Sequence, residues 1–532
     1  MNNMNSSFVK SCFLKILISA LSCFGYQYGF GQNRALEVNY SIMPEGQVVF
    51  SQIPDNEHLR EKIQGARQES GLTVSGVALN INIPLNKFHK VQHSTNKNKQ
   101  VFNLKVYEPG LHFSFNLNVS KLSTEDFIVL KNNQDSLIIT HNSVNLNPFL
   151  KDLSGEIKIK LNDFYPLNNS QLEIRNFSAK PEHIALYKNS DFGDAGNCQV
   201  NANCYDNNID FSAQRSAVLI QWRNGNFVGF CTGSLVVNSN YDNTPYLLTA
   251  EHCALYDGFA SSADFRDWVF FFNYESSGCE SPSSGNGLNQ QSLTGAEWVA
   301  RSDDAGGETG SDFLLLKLNN QIPNAYNAFF AGWNRSGLAP INGRCYHHPQ
   351  GDIKKVSAYY YSPSLGSFGD NQKNTHWLVS WSSTAYGHGT TEEGSSGASL
   401  LDENGLIRGV LTGGSSSCSN RSGVDYYGTM AYSWTNNGSA ASNQLKPWLD
   451  PANTGYLIMP PERPTENPSA LKVVPNPVRN GNIQLVDIGN YDQEVTLELF
   501  GLGGQKVAAL KTAPIPGKGI NLEVPRYVPG VY

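Results

Sequence analysis

Seven cysteines lie between Cys198 and Cys418, and none falls in residues 33–197 or after residue 418. Disulfides persist in oxidising compartments and brace domains that must survive there on their own. The distribution therefore marks residues 198–418 as the durable part of an exported chain. Seven is odd, so three bridges and one free thiol are expected. The other two cysteines, Cys12 and Cys23, belong to an N-terminal segment with Lys10, an apolar run over residues 13–24 broken by Lys15, and small or polar residues up to Gln32. That run is too short to span a bilayer comfortably, and its order is that of a signal peptide cleaved near Gly31. The competing reading is an N-terminal anchor, with Ala20, Leu21, Ser22 and Cys23 as a weak lipid-attachment site.

The 532 residues allow about three or four domains. Charged residues are only 16%, and 48 Gly with 24 Tyr and 27 Phe favour short strands and turns over long helices. The net charge is −7 with no Lys/Arg-rich block, which excludes the electrostatic footprint of a nucleic-acid binder and points to peptides or small molecules as partners. Residues 33–188 alternate as strands, for example 101–106, 111–119, 127–130 and 137–140, and read as a cysteine-free all-β accessory domain. Residues 189–455 hold the tryptophans between Trp222 and Trp448 and form the main domain. Residues 456–470 are proline-rich and read as a linker. From Leu471 to Tyr532 the pattern is β again, and it stops in mid-strand, so a truncated C-terminal domain is expected.

Three motifs in the main domain carry chemistry through their order. An apolar strand runs through Leu-Thr-Ala-Glu into His252 and Cys253. Asp312 stands at the mouth of the apolar run Phe-Leu-Leu-Leu-Lys-Leu that ends at Leu318. Ser396 lies in a turn between Gly394 and Gly397, ahead of another strand. A serine hydroxyl is a poor nucleophile until a base removes its proton, and imidazole suits that task near neutrality. A carboxylate behind the imidazole fixes its tautomer and stabilises the cation formed during attack. The glycines permit a sharp turn in which the amides of Gly394 and Ser396 converge on a developing oxyanion. Each motif alone is ordinary: a His after a strand is usually structural, and Gly-Ser-Ser-Gly is commonly a loop. Their joint occurrence, with Cys253 beside the His and Cys231 in Gly-Phe-Cys-Thr-Gly-Ser-Leu-Val, is not.

On these segments the chain resembles the chymotrypsin-like serine endopeptidases, and most of all the secreted bacterial lysyl endopeptidases, over about residues 195–455. Supporting segments are the stretch from Cys198 to Cys204, Ala-Gly-Trp-Asn-Arg ending at Arg335, His347-His348-Pro349, Gly-Gly-Ser-Ser-Ser-Cys ending at Cys418, Asp425-Tyr-Tyr-Gly and Trp448-Leu-Asp-Pro. The resemblance implies an all-β fold: a trypsin-like double β-barrel with its site in the cleft, flanked by a β-rich propeptide and a C-terminal β-sandwich. It implies His252 as base, Asp312 as orienter and Ser396 as nucleophile, with bridges Cys198 to Cys418, Cys204 to Cys279 and Cys231 to Cys253, leaving Cys345 as the thiol. It implies protein or peptide substrates and a secreted or cell-surface monomer without stable membrane insertion, and the mechanism requires no cofactor and no metal.

Trypsin-like enzymes place a pocket acid six residues before the nucleophile, where this chain has the uncharged Thr390. The lysyl endopeptidase pattern instead puts that acid at Asp425, with Thr412, Gly413 and Gly414 along the pocket; Glu392 and Glu393 are weaker candidates. Cleavage after Lys, with Arg as a second choice, is the resulting expectation. Two alternatives are a trypsin-like protease of looser specificity and a catalytically inactive adhesin of the same fold. The family's assisting His and Trp are matched here by Thr412 and Phe368. Ser395 replaces the Asp that pairs with a new N-terminus in trypsin, so activation by that ammonium is not expected. Lys188 precedes Asn189, which suggests self-maturation there, with residues 33–188 as a propeptide that blocks the cleft or assists folding; a substrate-binding module is the competing reading. The tail from Leu471, with Val-Val-Pro-Asn-Pro, a Gly-Gly-Gln-Lys-Val turn and Pro-Gly-Val-Tyr, resembles sorting domains of type IX secretion cargo, which implies that machinery as a partner; a binding module is the competing reading.

Overall fold

The computed structural model describes residues 193–204, 211–282, 291–369 and 373–461 almost without interruption, together with 56–70 and 72–79; elsewhere it describes separate backbone strands. The expected signal peptide, the Lys188–Asn189 bond and the linker beyond residue 461 lie outside the described residues.

The N-terminal region is not made of strands alone. Residues of high helix propensity, among them Glu57, Leu59, Arg60, Glu61, Lys62, Gln64, Ala66 and Arg67, form α1 (Asn56–Ser70). Leu59, Ile63 and Ala66, spaced four and then three residues apart, make its buried stripe. This corrects the all-strand expectation for residues 33–188. β1 (Thr73–Ala78) follows, buried at every position.

The first barrel begins with β2 (Ala217–Asn224) and β3 (Phe227–Leu235), a hairpin closed by Gly225 and Asn226, with Gly225 at the positive φ that such a two-residue turn requires. β4 (Tyr246–Ala250), β5 (Val269–Phe272), β6 (Gln291–Thr294), β7 (Ala296–Arg301) and β8 (Phe313–Leu318) complete it. The hydrogen-bonded order is β6-β5-β2-β3-β4-β8-β7, all antiparallel. The two outermost strands, β6 and β7, are joined through Gly295 alone, so the ends of the sheet must meet and the sheet closes. Gly295 has a positive φ and packs against the Asn319 side chain, which suits this corner.

The second barrel uses β9 (Trp333–Asn334), β10 (Gly343–His347), β11 (Lys355–Tyr359), β12 (Ser364–Gly366), β13 (His376–Ser380), β14 (Ser399–Asp402), β15 (Ile407–Gly414) and β16 (Val424–Thr429). Its main order is β11-β10-β14-β15-β16-β13-β12. The last strand, β17 (Ile458–Met459), pairs with β9. The compact unit thus runs to Met459, and the first residues assigned to the linker belong to its sheet. The chain is all-β in its main domain, a double barrel, as its sequence predicts.

Each barrel buries an aromatic and aliphatic core, in which Trp222, Trp268, Trp333 and Trp377 are fully enclosed. Three disulfides, Cys198–Cys418, Cys204–Cys279 and Cys231–Cys253, tie the unit, and Cys345 is a buried thiol. In the C-terminal tail, strands Lys472–Val474, Asn482–Val486 and Ile520–Glu523 form one sheet, and Val495–Phe500 pairs with Lys506–Thr512.

Candidate active site

Strand register brings the first two residues together. β4 and β8 pair with Ala250 opposite Phe313, so the residues just past β4 and just before β8 lie side by side. Glu251 N–H donates to the Asp312 carbonyl at 2.9 Å, and His252 N–H donates to Asp312 Oδ1 at 2.9 Å. Asp312 Oδ2 is 2.6 Å from His252 Nδ1. With the proton on Nδ1, Nε2 is the nitrogen left to accept another, as a general base requires. The Asp312 side chain is fully buried while that of His252 is 19% exposed, so the pair reaches solvent only through the imidazole.

Asp312 adopts φ +55°, a conformation unfavourable for a residue with a Cβ. The surroundings hold it there: its N–H donates to Asp304 Oδ2 at 2.9 Å, and Asp304 Oδ1 accepts from Gly307 N–H at 2.8 Å. Glu251 is buried beside them, accepting from Ser302 Oγ at 2.9 Å and from the Asp303 and Asp304 amides, with Arg301 3.2 Å away. Burial, reinforced by the Asp304 and Asp312 charges, raises the Glu251 pKa to about 7. Burial pulls the His252 pKa down, but Asp312 first, then Glu251 and Asp304, outweigh it, and the net shift is upward.

The third residue comes from the other barrel. Ser396 stands just before β14, and one residue of β3, through its backbone and its side chain, fixes its turn. Thr232 N–H donates to the Ser396 carbonyl at 2.8 Å, and Thr232 Oγ1 donates to the Gly394 carbonyl at 2.9 Å. The same hydroxyl accepts from His348 N–H, and the Thr232 carbonyl accepts from Thr249 Oγ1 on the base strand. The Ser396 carbonyl also lies 3.9 Å from Cys253 Sγ, which places the Ser396 turn beside the residue that follows His252. Gly397 has φ +80°, and a Cβ there would collide with Thr249 Oγ1 and the Thr232 carbonyl, so only glycine fits.

The candidate oxyanion donors sit on this turn. The Glu393 carbonyl accepts from Gln350 N–H at 2.6 Å. Across a trans peptide the carbonyl and the N–H point in opposite directions, so this bond turns the Gly394 N–H away from the Gln350 loop. Beneath the turn, Ser395 Oγ lies 2.8 Å from His347 Nδ1 and accepts from Glu392 N–H. Burial, with Lys355 nearby, lowers the His347 pKa to about 3, so this ring is a neutral prop.

Asp425 on β16 is completely buried, with 0% exposure. Its carboxylate accepts from Trp381 Nε1, Thr391 Oγ1 and Ser416 Oγ, each at 2.6 Å, and from Ser416 N–H at 3.2 Å. All four partners are neutral. A Cβ on Gly414 would collide with Asp425 Oδ1, so glycine opens the approach to that oxygen. Glu392 is engaged elsewhere, accepting from Gly196 N–H beside the Cys198–Cys418 bridge, and Glu393 pairs with Gln350 Nε2 at the surface. Thr390 is buried against Cys198 and Gln199.

Thr412 and Phe368 converge on a histidine that the sequence does not single out. His376 Nε2 is 3.0 Å from Thr412 Oγ1, its Nδ1 is 2.7 Å from Thr375 Oγ1, and the Phe368 ring is 5.7 Å away. Burial lowers the His376 pKa to about 4, partly countered by the Asp312 charge, so the ring is neutral at working pH. A histidine and an aromatic ring thus meet behind Asp312, with the imidazole supplied by β13. The sequence carries no motif around His376, Thr232 or Asp304 that would separate them from ordinary strand and turn residues.

Two groupings place metal-ligand atoms close together, Cys231 with His252 and Cys253, and Cys198 with Glu392 and Cys418. Their cysteines are paired in disulfides and lack the thiolates that metal binding needs. The family model described as lysyl endopeptidase, C-terminal domain, matches residues 192–428. Among solved structures, the protease Anisep from Arthrobacter nicotinovorans matches with 16% identity and TM-score 0.30, over 40% of this chain and 90% of that one. A Glu endopeptidase bound to MPD matches with 17% identity and TM-score 0.28, over 46% and 95%. The family match supports a serine peptidase. Among the described residues no helix is long and apolar enough to cross a membrane.

Proposed function

We propose that this chain is an endopeptidase that cleaves after Lys through an acyl-enzyme on Ser396. His252 takes the hydroxyl proton and later returns it to the leaving amine; Asp312 holds the imidazole; the amides of Gly394 and Ser396 stabilise the tetrahedral oxyanion. The observation that carries this reading is the 2.6 Å bond from His252 Nδ1 to a buried Asp312, at the end of a strand whose neighbour β3 anchors the Ser396 turn. The case for Lys rests on Asp425. A fully buried carboxylate served only by neutral donors is costly to keep charged, and a substrate ammonium would offset that cost.

Residues 33–188 act in this reading as a propeptide removed after Lys188, and the tail from Leu471 as a secretion sorting module. N-terminal sequencing of secreted active protein should begin near Asn189; a start at Gln32 or Asn33 contradicts self-maturation. Loss of export on deleting the tail supports the sorting role, and unchanged export refutes it.

Digestion of a peptide library tests specificity. Wild type should cut after Lys, and Asp425→Asn should lose that preference. Unchanged Lys cleavage by Asp425→Asn would remove Asp425 from the pocket.

A further inference from the structure

β3 carries the residue on which the nucleophile turn hangs, and β1 covers its open edge. β2 pairs with β3 along one side. On the other side β4 takes only Ser234 and Leu235, while β1 takes residues 227–230, with Val77 opposite Phe227 and Thr73 opposite Phe230. The fit is close: a Cβ on Gly229 would collide with the Thr73 carbonyl oxygen, and Ser75 Oγ donates to the Val228 carbonyl. Arg67 of α1 donates to the Val74 carbonyl at 2.6 Å, which ties helix to strand.

The chemistry is near. Two residues beyond Phe230, Thr232 holds the carbonyls of Ser396 and Gly394. The Phe230 ring presses on Gly351, next to the Gln350 amide that holds the Glu393 carbonyl. Strand spacing puts Thr73 roughly 10 to 15 Å from Ser396. The nucleophile turn bonds to β15 through Gly397 N–H and the Leu411 carbonyl, and to β3 through Ser396 and Thr232. A peptide whose Lys side chain enters the pocket formed by β15 and β16 therefore passes Ser396 towards β3, with the residues after the scissile bond heading for the edge that β1 occupies.

We propose that β1 is a cis-acting plug: it occupies by strand pairing the edge of β3 needed by the leaving-group half of an extended polypeptide substrate, and removing the N-terminal region frees it. An uncovered edge offers unpaired N–H and C=O groups that an extended peptide can take up. This rests on the serine endopeptidase reading and adds to it which half of the cleft is closed and by which residues.

The test uses the full chain with Lys188→Gln, so that the N-terminal region stays attached, and two variants of it, Val74→Asp/Val77→Asp and Arg67→Ala. Each is assayed on a peptide extending four residues past Lys and on a Lys ester with nothing after the scissile bond. The plug predicts that kcat/KM for the peptide rises about tenfold in Val74→Asp/Val77→Asp, because the covered fraction of the edge falls, while ester hydrolysis stays within about twofold. Arg67→Ala, which leaves the protease unit intact, should give a smaller rise confined to the peptide, and decides the matter if the double variant does not fold. Parallel changes on both substrates, or none on either, overturn the plug. Absence of ester hydrolysis in the parent and in Arg67→Ala overturns the peptidase reading, and the plug with it.

Discussion

For single residues, the proposed mechanism makes the His252–Asp312 pair set the pH behaviour of catalysis. Only neutral imidazole can accept the serine proton, and the carboxylates of Asp312, Glu251 and Asp304 favour its cation. The acidic limb of the kcat/KM profile should therefore lie above the ordinary imidazole value of 6.5, with activity rising as pH increases through it. Asp312→Asn keeps the shape but not the tautomer, and should lower kcat by about 10⁴ with correct folding by circular dichroism. Glu251 affects stability instead. Its folded pKa, about 7, exceeds the value near 4.5 expected on unfolding, so the native state binds the extra proton in that window and stability falls as pH rises from 4.5 to 7. Denaturant titrations of Glu251→Gln should lose that slope, worth on the order of 3 kcal/mol. Retention of the full slope in Glu251→Gln would assign it to another group.

At the scale of elements, the site is a matter of register and clamps. The pairing of β4 with β8 delivers His252 to Asp312, and the Cys231–Cys253 bridge pins β3 to the turn that carries the base. This bridge closes a separation of 22 residues, and replacing both cysteines by serine should cost about 3 kcal/mol of stability in reducing-agent-free denaturation. Thr232 is the second clamp. Thr232→Val removes the hydroxyl that bonds the Gly394 carbonyl and the His348 amide, and should lower kcat more than it raises KM, with a stability loss of about 1 to 3 kcal/mol. An equal effect of Thr232→Val on ground-state binding would contradict a role in shaping the turn. The strands themselves were legible because their apolar runs and glycine turns are local. His376 was not, because its meeting with Thr412 and Phe368 depends on the order β15-β16-β13, which no local pattern encodes. The helix α1 was hidden for a related reason: its apolar stripe of Leu59, Ile63 and Ala66 is thin, and the strand-like sequence around it set the expectation.

Across the whole molecule, the proposed mechanism draws half of its machinery from each barrel. In it the first supplies base, orienter and the edge covered by β1, and the second supplies the nucleophile turn and Asp425. The candidates His252, Asp312 and Ser396 stand out in the sequence because each sits at the end of a strand in a short motif, whereas Asp304, Thr232 and the docking of β1 are long-range consequences of closing the first barrel. The same division explains why the C-terminal end of the unit lies at Met459: β17 completes a sheet through Trp333, a partner far away in sequence. The proposed mechanism requires these two halves to meet at one nucleophile. Fluorophosphonate labelling of the folded protein, with the adduct mapped by mass spectrometry of its peptides, reads this out. A single adduct on Ser396, lost in Ser396→Ala, is expected; an adduct on another residue, or none on protein with its three disulfides intact, would refute it.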